Sequence, residues 1–494
     1  MTIAQSIPAD ARIDVATLLP EGRHIINGDW IEAHGGETIA VLNPATQEVI
    51  ASVPRGGESD IDAAVKAAEA ALPEWKAMSP VARAQLLYRW ADLCERHEAE
   101  LDIIECLEVG HGSLRPSLIP GMFRYTAGLA DKIEGQSLAT TSLDQMALTL
   151  RDPFGVCGIL IPWNGPGWSF PKRVAAPLAA GNTVVVKPAE DAPLTLLYMI
   201  KLAHEAGFPP GVINAVCGYG PEAGDALTGH HGVRKISFTG SGQTGTRVMQ
   251  RAAEHLAPVH LELGGKSPQV VFPDAPMDAA VRAITLSIVA NTGQACAAGS
   301  RVIVHEDVHD ELVERLRESF AKVKVGPWYE QGAMGPLINE KQGRRVLDFI
   351  ATGSSEGATL AFGGKRLSGG VYDGGWFVEP TLFTDVTPDM TIAQEEIFGP
   401  VLAVIKVGSE EEALSIANGT RYGLVSAVWT SDAGRAVRMA RRLEAGLVSI
   451  NTFMGMGALG VPAGGFKQSG FGRIAGTDSI HEWTQTKAVV FGAS

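Results

Sequence analysis

The sequence predicts an α/β fold, in which a doubly wound parallel sheet is built from strands that alternate with helices. Short apolar runs recur from residue 155 onward, at residues 155–161, 183–187, 212–216, 235–238 and 259–263. Segments of helical periodicity, such as residues 194–205 and 244–255, separate these runs. This alternation is typical of βαβ units. We therefore expect ligands to bind beyond the carboxyl ends of the strands.

The rest of the chain predicts a second α/β region and a small β element. The second region begins near residue 268, and its predicted elements are a strand at 270–272 and helices at 277–290 and 308–323. Residues 130–150 have little periodicity and become extended at 146–150, and the chain ends in an apolar run at 487–491. An exposed apolar strand often pairs with another segment or subunit. These two segments are therefore expected to take part in pairing.

Composition and charge exclude several classes of partner. The 494 residues, 45% of them apolar, are enough for two or three globular domains. A net charge of −14 argues against a nucleic-acid partner, because phosphate binding requires a basic surface. No apolar run approaches the roughly 18 residues of a membrane helix. The first twenty residues lack the basic start and apolar core of a secretion signal, which favours a cytoplasmic protein.

The cysteines predict free thiols in a reducing compartment. The chain has five, namely Cys94, Cys106, Cys157, Cys217 and Cys296. The nearest two are twelve positions apart, so no CxxC metal or redox pair exists. The twelve histidines show no metal-ligand spacing either. We expect no metal site.

Two residues are candidates for catalysis. Cys296 has small neighbours on both sides, which leaves its sulfur approachable by a substrate, and a thiolate is a strong nucleophile. The same local pattern also fits a buried structural cysteine. Glu262 follows an apolar strand and precedes two glycines, which suits a base aimed into a cleft. An ordinary surface glutamate is the alternative.

A glycine-rich loop offers Glu262 a different role. Residues 240–245 (GSGQTG) match the GxGxxG fingerprint, follow a strand and open a helix. Glu262 comes 22 positions after Gly240, about where a ribose-binding acid is expected. The fingerprint normally follows the first strand of its unit, however, whereas this loop follows the fourth. In either case its backbone N–H groups suit a phosphate.

Seven segments, taken together, resemble the aldehyde dehydrogenase superfamily over essentially the whole chain. In order they are residues 162–166 (PWNGP), 187–190 (KPAE), 238–241 (FTGS), 262–266 (ELGGK), 293–296 (GQAC), 395–400 (EEIFGP) and 464–470 (GGFKQSG). The resemblance implies a homodimer or homotetramer with three parts. These are an NAD-binding domain at residues 1–129 and 151–262, a catalytic domain at 263–475, and an oligomerisation arm formed by 130–150 and 476–494.

The resemblance assigns catalytic roles to three residues. Cys296 matches the nucleophile and Glu262 the general base, while Asn164 matches the residue whose side-chain amide forms an oxyanion hole with the Cys296 backbone N–H. The implied reaction is NAD-dependent oxidation of an aldehyde to a carboxylic acid, through a thiohemiacetal and a thioester on Cys296. Glu262 would activate the water that hydrolyses the thioester. The resemblance thus favours the base over the ribose-binding role.

The resemblance also implies a cofactor site. Lys187 and Glu190 match the pair that binds the adenosine ribose, Ser241 a pyrophosphate contact, Glu396 the residue that holds the nicotinamide ribose, and Phe398 an aromatic beside it. The remaining expected contacts are Ile161, Pro162, Trp163, Gly220, Gly240, Gly245 and Leu263. A carboxylate at position 190 would bind both ribose hydroxyls and repel a 2′-phosphate. NAD is therefore favoured over NADP.

Departures from the family pattern concern the substrate channel. The position after Asn164, often aromatic in the family, is Gly165, which we expect to widen the channel. Arg173 stands where lysine is usual. The other expected channel residues are Trp168, Phe170, Phe453 and Met456. Ordinary core packing is the alternative for each of them. Aromatic walls would predict a bulky apolar or aromatic aldehyde.

Two other functions fit part of the pattern. A cysteine hydrolase could use the thiol and Glu262 on esters with no redox step, but it would not need a dinucleotide site. A non-catalytic protein of the same fold would be expected to lose the nucleophile, the base or the oxyanion amide. Cys296, Glu262 and Asn164 are all present.

Overall fold

The computed structural model describes residues 15–19, 22–111, 118–329, 333–453 and 459–492. Met456, one of the predicted channel residues, lies outside these ranges. The α-helices are α1 (Val15–Leu18), α2 (Glu58–Ala77), α3 (Pro80–Arg96), α4 (Glu98–Val109), α5 (Leu118–Ala127), α6 (Pro166–Ala179), α7 (Leu194–Glu205), α8 (Asp225–Gly229), α9 (Gly242–Ala253), α10 (Met277–Val289), α11 (His309–Ala321), α12 (Glu340–Ser355), α13 (Thr391–Gln394), α14 (Glu410–Asn418) and α15 (Ala433–Arg442).

The strands are β1 (His24–Ile26), β2 (Asp29–Ile31), β3 (Thr38–Leu42), β4 (Val49–Pro54), β5 (Ser137–Leu138), β6 (Gln145–Pro153), β7 (Val156–Ile161), β8 (Thr183–Pro188), β9 (Ile213–Ala215), β10 (Val233–Thr239), β11 (Val259–Glu262), β12 (Pro268–Val271), β13 (Arg301–His305), β14 (Lys324–Val325), β15 (Ala333–Met334), β16 (Thr359–Phe362), β17 (Thr381–Thr384), β18 (Val401–Val407), β19 (Tyr422–Gly423), β20 (Val425–Trp429), β21 (Leu447–Ile450), β22 (Phe466–Lys467), β23 (Gly470–Phe471) and β24 (Thr484–Gly492).

The first sheet has eight strands in the order β2-β1-β9-β8-β7-β10-β11-β23, and all of them except β23 come from residues 24–262. Its five central strands, β7 to β11, are parallel. The chain moves from β7 to β8 and β9 on one side of the sheet and then returns to place β10 and β11 on the other. The strand order therefore reverses between β7 and β10. This confirms the predicted doubly wound sheet, whose ligands bind at such a switch point.

The continuous apolar runs of this sheet are explained by packing on both faces. In β8, Val184 and Val186 belong to one buried cluster with residues of α3, α6 and α7. Val185, which points to the opposite face, belongs to a second cluster with residues of α2 and α9. A parallel strand covered on both faces needs apolar residues at consecutive positions instead of alternate ones.

A seven-stranded sheet follows, with the order β16-β17-β18-β13-β12-β20-β21. All its pairs are parallel except the edge pair β16–β17. This is the second α/β region that the sequence predicts. Strand β23 crosses from this half of the chain to the first sheet, where Gly470 pairs with Glu262. The domain boundaries themselves stay predictions.

The predicted small β element is a separate antiparallel sheet with the order β24-β6-β5. Its long pair joins residues 484–492 to residues 145–153 in one continuous register. Val490 is 62% exposed and Met146 is 56% exposed, so part of its apolar surface faces solvent. Within the described residues, no helix is both long and apolar enough to cross a bilayer.

Candidate active site

A cavity of about 270 Å³ lies at the carboxyl ends of β7, β8 and β10. Eight of the predicted cofactor residues line it, namely Ile161, Pro162, Trp163, Lys187, Glu190, Gly220, Gly240 and Ser241. Gly245 and Leu263 lie behind this wall, where a Cβ atom at Gly245 would approach Leu263 Cδ2 to 2.7 Å. The cavity thus lies at the switch point of the first sheet, as the fold class predicts.

One wall of the cavity carries a linked lysine and glutamate. Lys187 is buried, and its Nζ donates to the Pro188 carbonyl at 2.8 Å and to Glu190 Oε2 at 3.1 Å. The Glu190 side chain is 33% exposed. A carboxylate has several acceptor positions, so Glu190 can accept hydrogen bonds from a ligand while Lys187 fixes its orientation.

The opposite wall is the start of helix α9. Ser241 caps the helix, since its Oγ accepts a hydrogen bond from the Thr244 backbone N–H at 3.2 Å. Gly240 N–H is turned back to the Glu262 carbonyl at 3.1 Å, which joins this loop to β11. The N-terminus of a twelve-residue helix therefore faces the cavity. Backbone N–H groups at such an end favour an anionic group such as a phosphate.

Five polar residues of the cavity were missed by the sequence analysis, namely Asp225, Thr228, Thr239, Thr244 and Arg247. Arg247 Nε donates to Asp225 Oδ1 at 3.0 Å, so its positive charge is held by a carboxylate. The helical spacing from Ser241 to Thr244 and then Arg247 could have placed the last two on the cavity face.

Glu396 and Phe398 connect the cavity to the second half of the chain. Glu396 Oε1 accepts from the Gly265 backbone N–H at 3.1 Å, and burial raises the pKa of this carboxyl to about 7. The Phe398 ring packs edge-on against Trp163, with centroids 5.4 Å apart. Phe398 has a left-handed backbone with φ 61°, which directs its ring towards the cavity wall.

The loop that carries Cys296 has an unusual backbone. Asn291, Thr292 and Gly293 all have positive φ, at 50°, 54° and 68°. Such a conformation costs about 1–3 kcal/mol for a residue other than glycine. A side chain at Gly293 would overlap the Gly399 carbonyl group. The chain therefore makes a compressed turn immediately before the cysteine, and only glycine fits its last position.

Cys296 differs from the other cysteines in its surroundings. None of the five forms a disulfide, and Cys296 is partly exposed, whereas the other four are buried. Burial, reinforced by the carboxylates of Glu262 and Glu396, raises the pKa of the Cys296 thiol to about 12. The Arg173 guanidinium and a hydrogen bond with the Ala297 backbone act in the opposite direction. The thiol of the free protein is therefore protonated at neutral pH.

Asn164 is fixed beside the cysteine loop. Its Nδ2 donates to the Gln294 carbonyl at 2.9 Å, and Asn291 Nδ2 donates to both the Asn164 and the Gln294 carbonyls. An amide nitrogen carries two N–H groups. One of those of Asn164 is used to hold the loop two residues before Cys296. The other can donate to an oxygen near the sulfur.

Glu262 approaches the cysteine loop from the end of β11. Its side chain is 1% exposed, and the two glycines that follow bring the chain against the cysteine loop. A Cβ atom at Gly265 would overlap the Cys296 carbonyl oxygen, so the backbones touch there. The structure thus brings together the three predicted catalytic residues beside the cavity.

Comparisons with known proteins agree over the whole chain. The model of the aldehyde dehydrogenase family matches residues 30–489. The hydroxyisobutyraldehyde dehydrogenase of Mycolicibacterium austroafricanum is 43% identical over 494 residues, which cover 99% of this chain and 96% of that protein. Aldehyde dehydrogenase 1A1 of Mesocricetus auratus is 43% identical over 479 residues, 95% of this chain and 94% of that one.

A solved structure is similar to the same extent. It is the NAD⁺ complex of an aldehyde dehydrogenase from Bacillus cereus, with a TM-score of 0.95 and 43% identity, and the match covers 99% of this chain and 100% of that chain.

The chain belongs to the aldehyde dehydrogenase family. It is an oxidoreductase that acts on aldehydes, with the family's dinucleotide-binding fold.

An apolar cluster lies next to Cys296. Trp168, Phe453 and Cys296 pack against a buried cluster made of Ala297, Leu424, Val425, Ala463 and Ile474. Both aromatic residues therefore share this cluster with Cys296, and their role as channel residues stays a prediction. Phe170 does not share it, and the prediction for this residue is wrong. It is fully buried in the core of the first half, with its ring 5.8 Å from that of Trp90.

The expectation that Gly165 widens the channel is also wrong. A Cβ atom at Gly165 would overlap the indole of Trp168, at 2.5 Å from its Cδ1. The tryptophan ring therefore occupies the space next to the glycine. The two residues are close to one helical turn apart, so the indole of Trp168 fills the space beside the glycine.

Two cations on α6 complete the surroundings of the thiol. Lys172, which the sequence analysis did not single out, lies one turn after Trp168, with its Nζ 4.1 Å from the centroid of the indole. Burial and the neighbouring Arg173 lower the pKa of Lys172 to about 7, while the charges of Glu262 and Cys296 act in the opposite direction. Arg173 is 3% exposed and donates to the Ser169 carbonyl at 3.1 Å. The i, i+4 spacing from Trp168 could have identified Lys172.

Proposed function

We propose that this enzyme uses NAD to oxidise an aldehyde to a carboxylic acid, through a thiohemiacetal and then a thioester on Cys296. The proposal rests on one observation. The cysteine loop is held against Asn164 by a hydrogen bond and against Gly265 by backbone contact, beside a cavity at the switch point. A nucleophile, an amide donor and a carboxylate therefore converge next to a cavity at the carboxyl ends of the parallel strands.

The first step is attack of the Cys296 sulfur on the aldehyde carbon. Because the pKa of the thiol in the free protein is raised to about 12, the thiol enters this step protonated, and its proton passes to solvent water as the C–S bond forms. Arg173 favours the thiolate through its charge. The attack forms a C–S bond and leaves an oxyanion, for which the second N–H of Asn164 and the backbone N–H of Cys296 are the assigned donors. One such donor contributes about 2.7–4 kcal/mol to stabilising the transition state.

The residues around the cavity fit a nicotinamide dinucleotide. Glu190 and Lys187 would hold the adenosine ribose, the start of α9 at Ser241 would bind the pyrophosphate, and Glu396 and Phe398 would hold the nicotinamide end. When bound, this group accepts the hydride that leaves the substrate carbon. The Glu190 carboxylate at the ribose position favours NAD over NADP. Arg247 does not counter this preference, since its charge is held by Asp225.

The second half-reaction is hydrolysis of the thioester. Glu262 takes a proton from water, the resulting hydroxide forms a bond to the thioester carbon, and the C–S bond breaks to release the carboxylic acid and the Cys296 thiolate. A carboxylate at the end of β11 is suited to this role, because the following chain meets the Cys296 backbone at Gly265 and a general base must lie within reach of the proton that it takes.

A bulky apolar or aromatic aldehyde is the proposed substrate class. Trp168 and Phe453 support it, since both pack against the same apolar cluster as Cys296 and aromatic surfaces favour apolar groups. The relative from Mycolicibacterium austroafricanum is named for a small hydroxylated aldehyde, hydroxyisobutyraldehyde. Comparing benzaldehyde with hydroxyisobutyraldehyde would therefore separate the two classes.

We further propose a cytoplasmic homodimer or homotetramer. Five free cysteines support a reducing compartment. The exposed apolar residues of the β24-β6-β5 sheet support a contact between subunits through the predicted arm.

NADH formation tests the proposal directly. Absorbance at 340 nm should rise when the enzyme is mixed with NAD and a panel of aliphatic and aromatic aldehydes, and Cys296→Ala should abolish the rise while NAD still binds. Ester hydrolysis without NADH formation across the panel would instead support a cysteine hydrolase.

A further inference from the structure

His260 and Glu262 form a buried pair of polar side chains. Each is 1% exposed. Within the described part of the chain, neither nitrogen of the His260 ring and neither oxygen of the Glu262 carboxylate has a hydrogen-bond partner. Their closest atoms, His260 Nε2 and Glu262 Oε1, are 3.7 Å apart. Leaving a buried polar group without a partner costs about 1–3 kcal/mol, and more for a charged one.

The fold aims these two side chains at each other. Residues two apart on a strand point to the same face, so His260 and Glu262 lie side by side on β11. Strand β23 runs antiparallel to β11, and Gly470 is opposite Glu262. A Cβ atom at Gly472 would come within 2.8 Å of the His260 ring. Glycine at that position therefore leaves room for the imidazole beside the carboxylate.

Other charged groups face Glu262 from two further elements. Lys172 and Arg173 on α6 and Cys296 on its loop all interact with it through their charges. Arg173 directs Nη1 to the Ser169 carbonyl, and the Lys172 ammonium lies over the Trp168 ring. These groups act on Glu262 through their charges, while the His260 ring lies beside it with Nε2 3.7 Å from Glu262 Oε1.

We propose that His260 is a positioning residue for Glu262, whose carboxylate it holds by donating a hydrogen bond from Nε2–H. A movement of about half an ångström would bring the two atoms into hydrogen-bond range. The neutral tautomer with its proton on Nε2 supplies the donor. This hydrogen bond orients the carboxylate towards the thioester on Cys296, so the inference rests on the proposed role of Glu262 as the base.

Pre-steady-state kinetics of NADH formation separate this role from a purely structural one. We expect His260→Leu to lower the steady-state rate about tenfold while the burst of NADH keeps its rate and amplitude, because only thioester hydrolysis uses Glu262. His260→Gln, whose amide N–H can replace Nε2–H, should recover the steady-state rate to within about threefold. His260→Asn, which places its amide near Nδ1, should not. The comparison of the glutamine and asparagine variants tests the positioning role even if the leucine variant does not fold.

A matched control is a buried histidine on another strand of the first sheet, whose ring also lies near a carboxylate. His24 on β1 is 0% exposed, with its Nε2 3.9 Å from Asp60 Oδ1, and His24→Gln should leave the ratio of burst to steady-state rate unchanged. In a Glu262→Gln background, His260→Leu should have no further effect on the steady-state rate. Equal loss of burst and steady-state rates, or a further loss in that background, would overturn the inference. An absent burst and unchanged turnover in Glu262→Gln alone would overturn the proposed base instead.

Discussion

The cavity and the surroundings of Cys296 are built in different ways. The cavity walls come from the ends of neighbouring strands in one sheet and from the start of helix α9. The surroundings of the thiol are assembled from α6, β11, the 291–296 loop and the contact with Gly399. The first region therefore depends on topology. The second depends on side chains that interlock across distant segments.

This difference predicts that the two regions can be disabled separately. The shape of the cavity is set by the strand ends and does not depend on the side chains around the sulfur. A substitution beside Cys296 should therefore leave cofactor binding intact. A substitution in the cavity should likewise leave the reactivity of the thiol intact. The four predictions below test this independence.

The largest effect is expected for Glu262→Gln. Loss of the base should slow steady turnover by about 10²–10⁴-fold, while a burst of NADH equal to the enzyme concentration remains, since the thioester still forms and then accumulates. Rapid-mixing absorbance at 340 nm measures both phases. Titration with NAD should give an unchanged Kd, and a weakened Kd would contradict the separation of the two regions.

A smaller effect is expected from pH. Because burial raises the pKa of the Cys296 thiol to about 12, only a minor fraction is thiolate at neutral pH, and that fraction rises tenfold for each pH unit below the pKa. Alkylation of the cofactor-free protein by iodoacetamide should therefore accelerate roughly a hundredfold between pH 7 and pH 9. Cys296→Ala gives the background from the four buried thiols. A rate that levels off below pH 9 would mean that the thiolate forms more easily than its surroundings predict.

The cavity side is tested by Glu190→Ala. A hydrogen bond to a charged group contributes about 1.5–3 kcal/mol, so KM for NAD should rise about tenfold or more, and the preference for NAD over NADP should weaken. Initial-rate kinetics with both cofactors measure the change, and Glu205→Ala, an exposed glutamate at the end of α7, is the matched control. Iodoacetamide should modify Cys296 at the wild-type rate. Slower modification would show that the two regions are coupled.

The smallest effect on catalysis is expected for Phe170→Ala. Phe170 is fully buried against Trp90, so the substitution should lower the free energy of unfolding by about 3–5 kcal/mol and leave the ratio of kcat/KM between benzaldehyde and a short aliphatic aldehyde unchanged. Denaturant unfolding and kinetics on the two substrates measure these effects. Trp168→Ala should alter that ratio. A changed preference in the Phe170 variant would place its ring at the channel after all.

The contrast between the two regions also explains what the sequence could predict. Glu190, Ser241 and Glu262 each follow a strand, and the position of a strand end follows from the order of the strands. The sequence could therefore place them at strand ends, whereas their roles came from the family resemblance and stay predictions. The same reasoning placed the small β element, because residues 145–153 and 484–492 both read as extended segments.

The side-chain packing of α6 could not be predicted in this way. Helical spacing puts Trp168 and Lys172 on one face, but which face meets the thiol depends on how α6 packs against the first sheet and the neighbouring helices. Phe170, two positions from Trp168, points into the core for that reason. The partnership of His260 with Glu262 depends in turn on a glycine more than 200 residues later, at position 472, which sequence spacing alone does not connect to β11.

Because a side chain at position 165 would overlap the Trp168 ring, the residues at these two positions must change together. An aromatic residue introduced at 165 alone would collide with the indole, and a small residue introduced at 168 alone would leave a void next to the oxyanion amide. Each single exchange is therefore expected to be harmful, whereas exchanging both together restores the volume. Libraries that aim to redirect this enzyme towards other aldehydes should randomise the two codons jointly, since a stepwise search would discard the intermediates on the way to the functional pair.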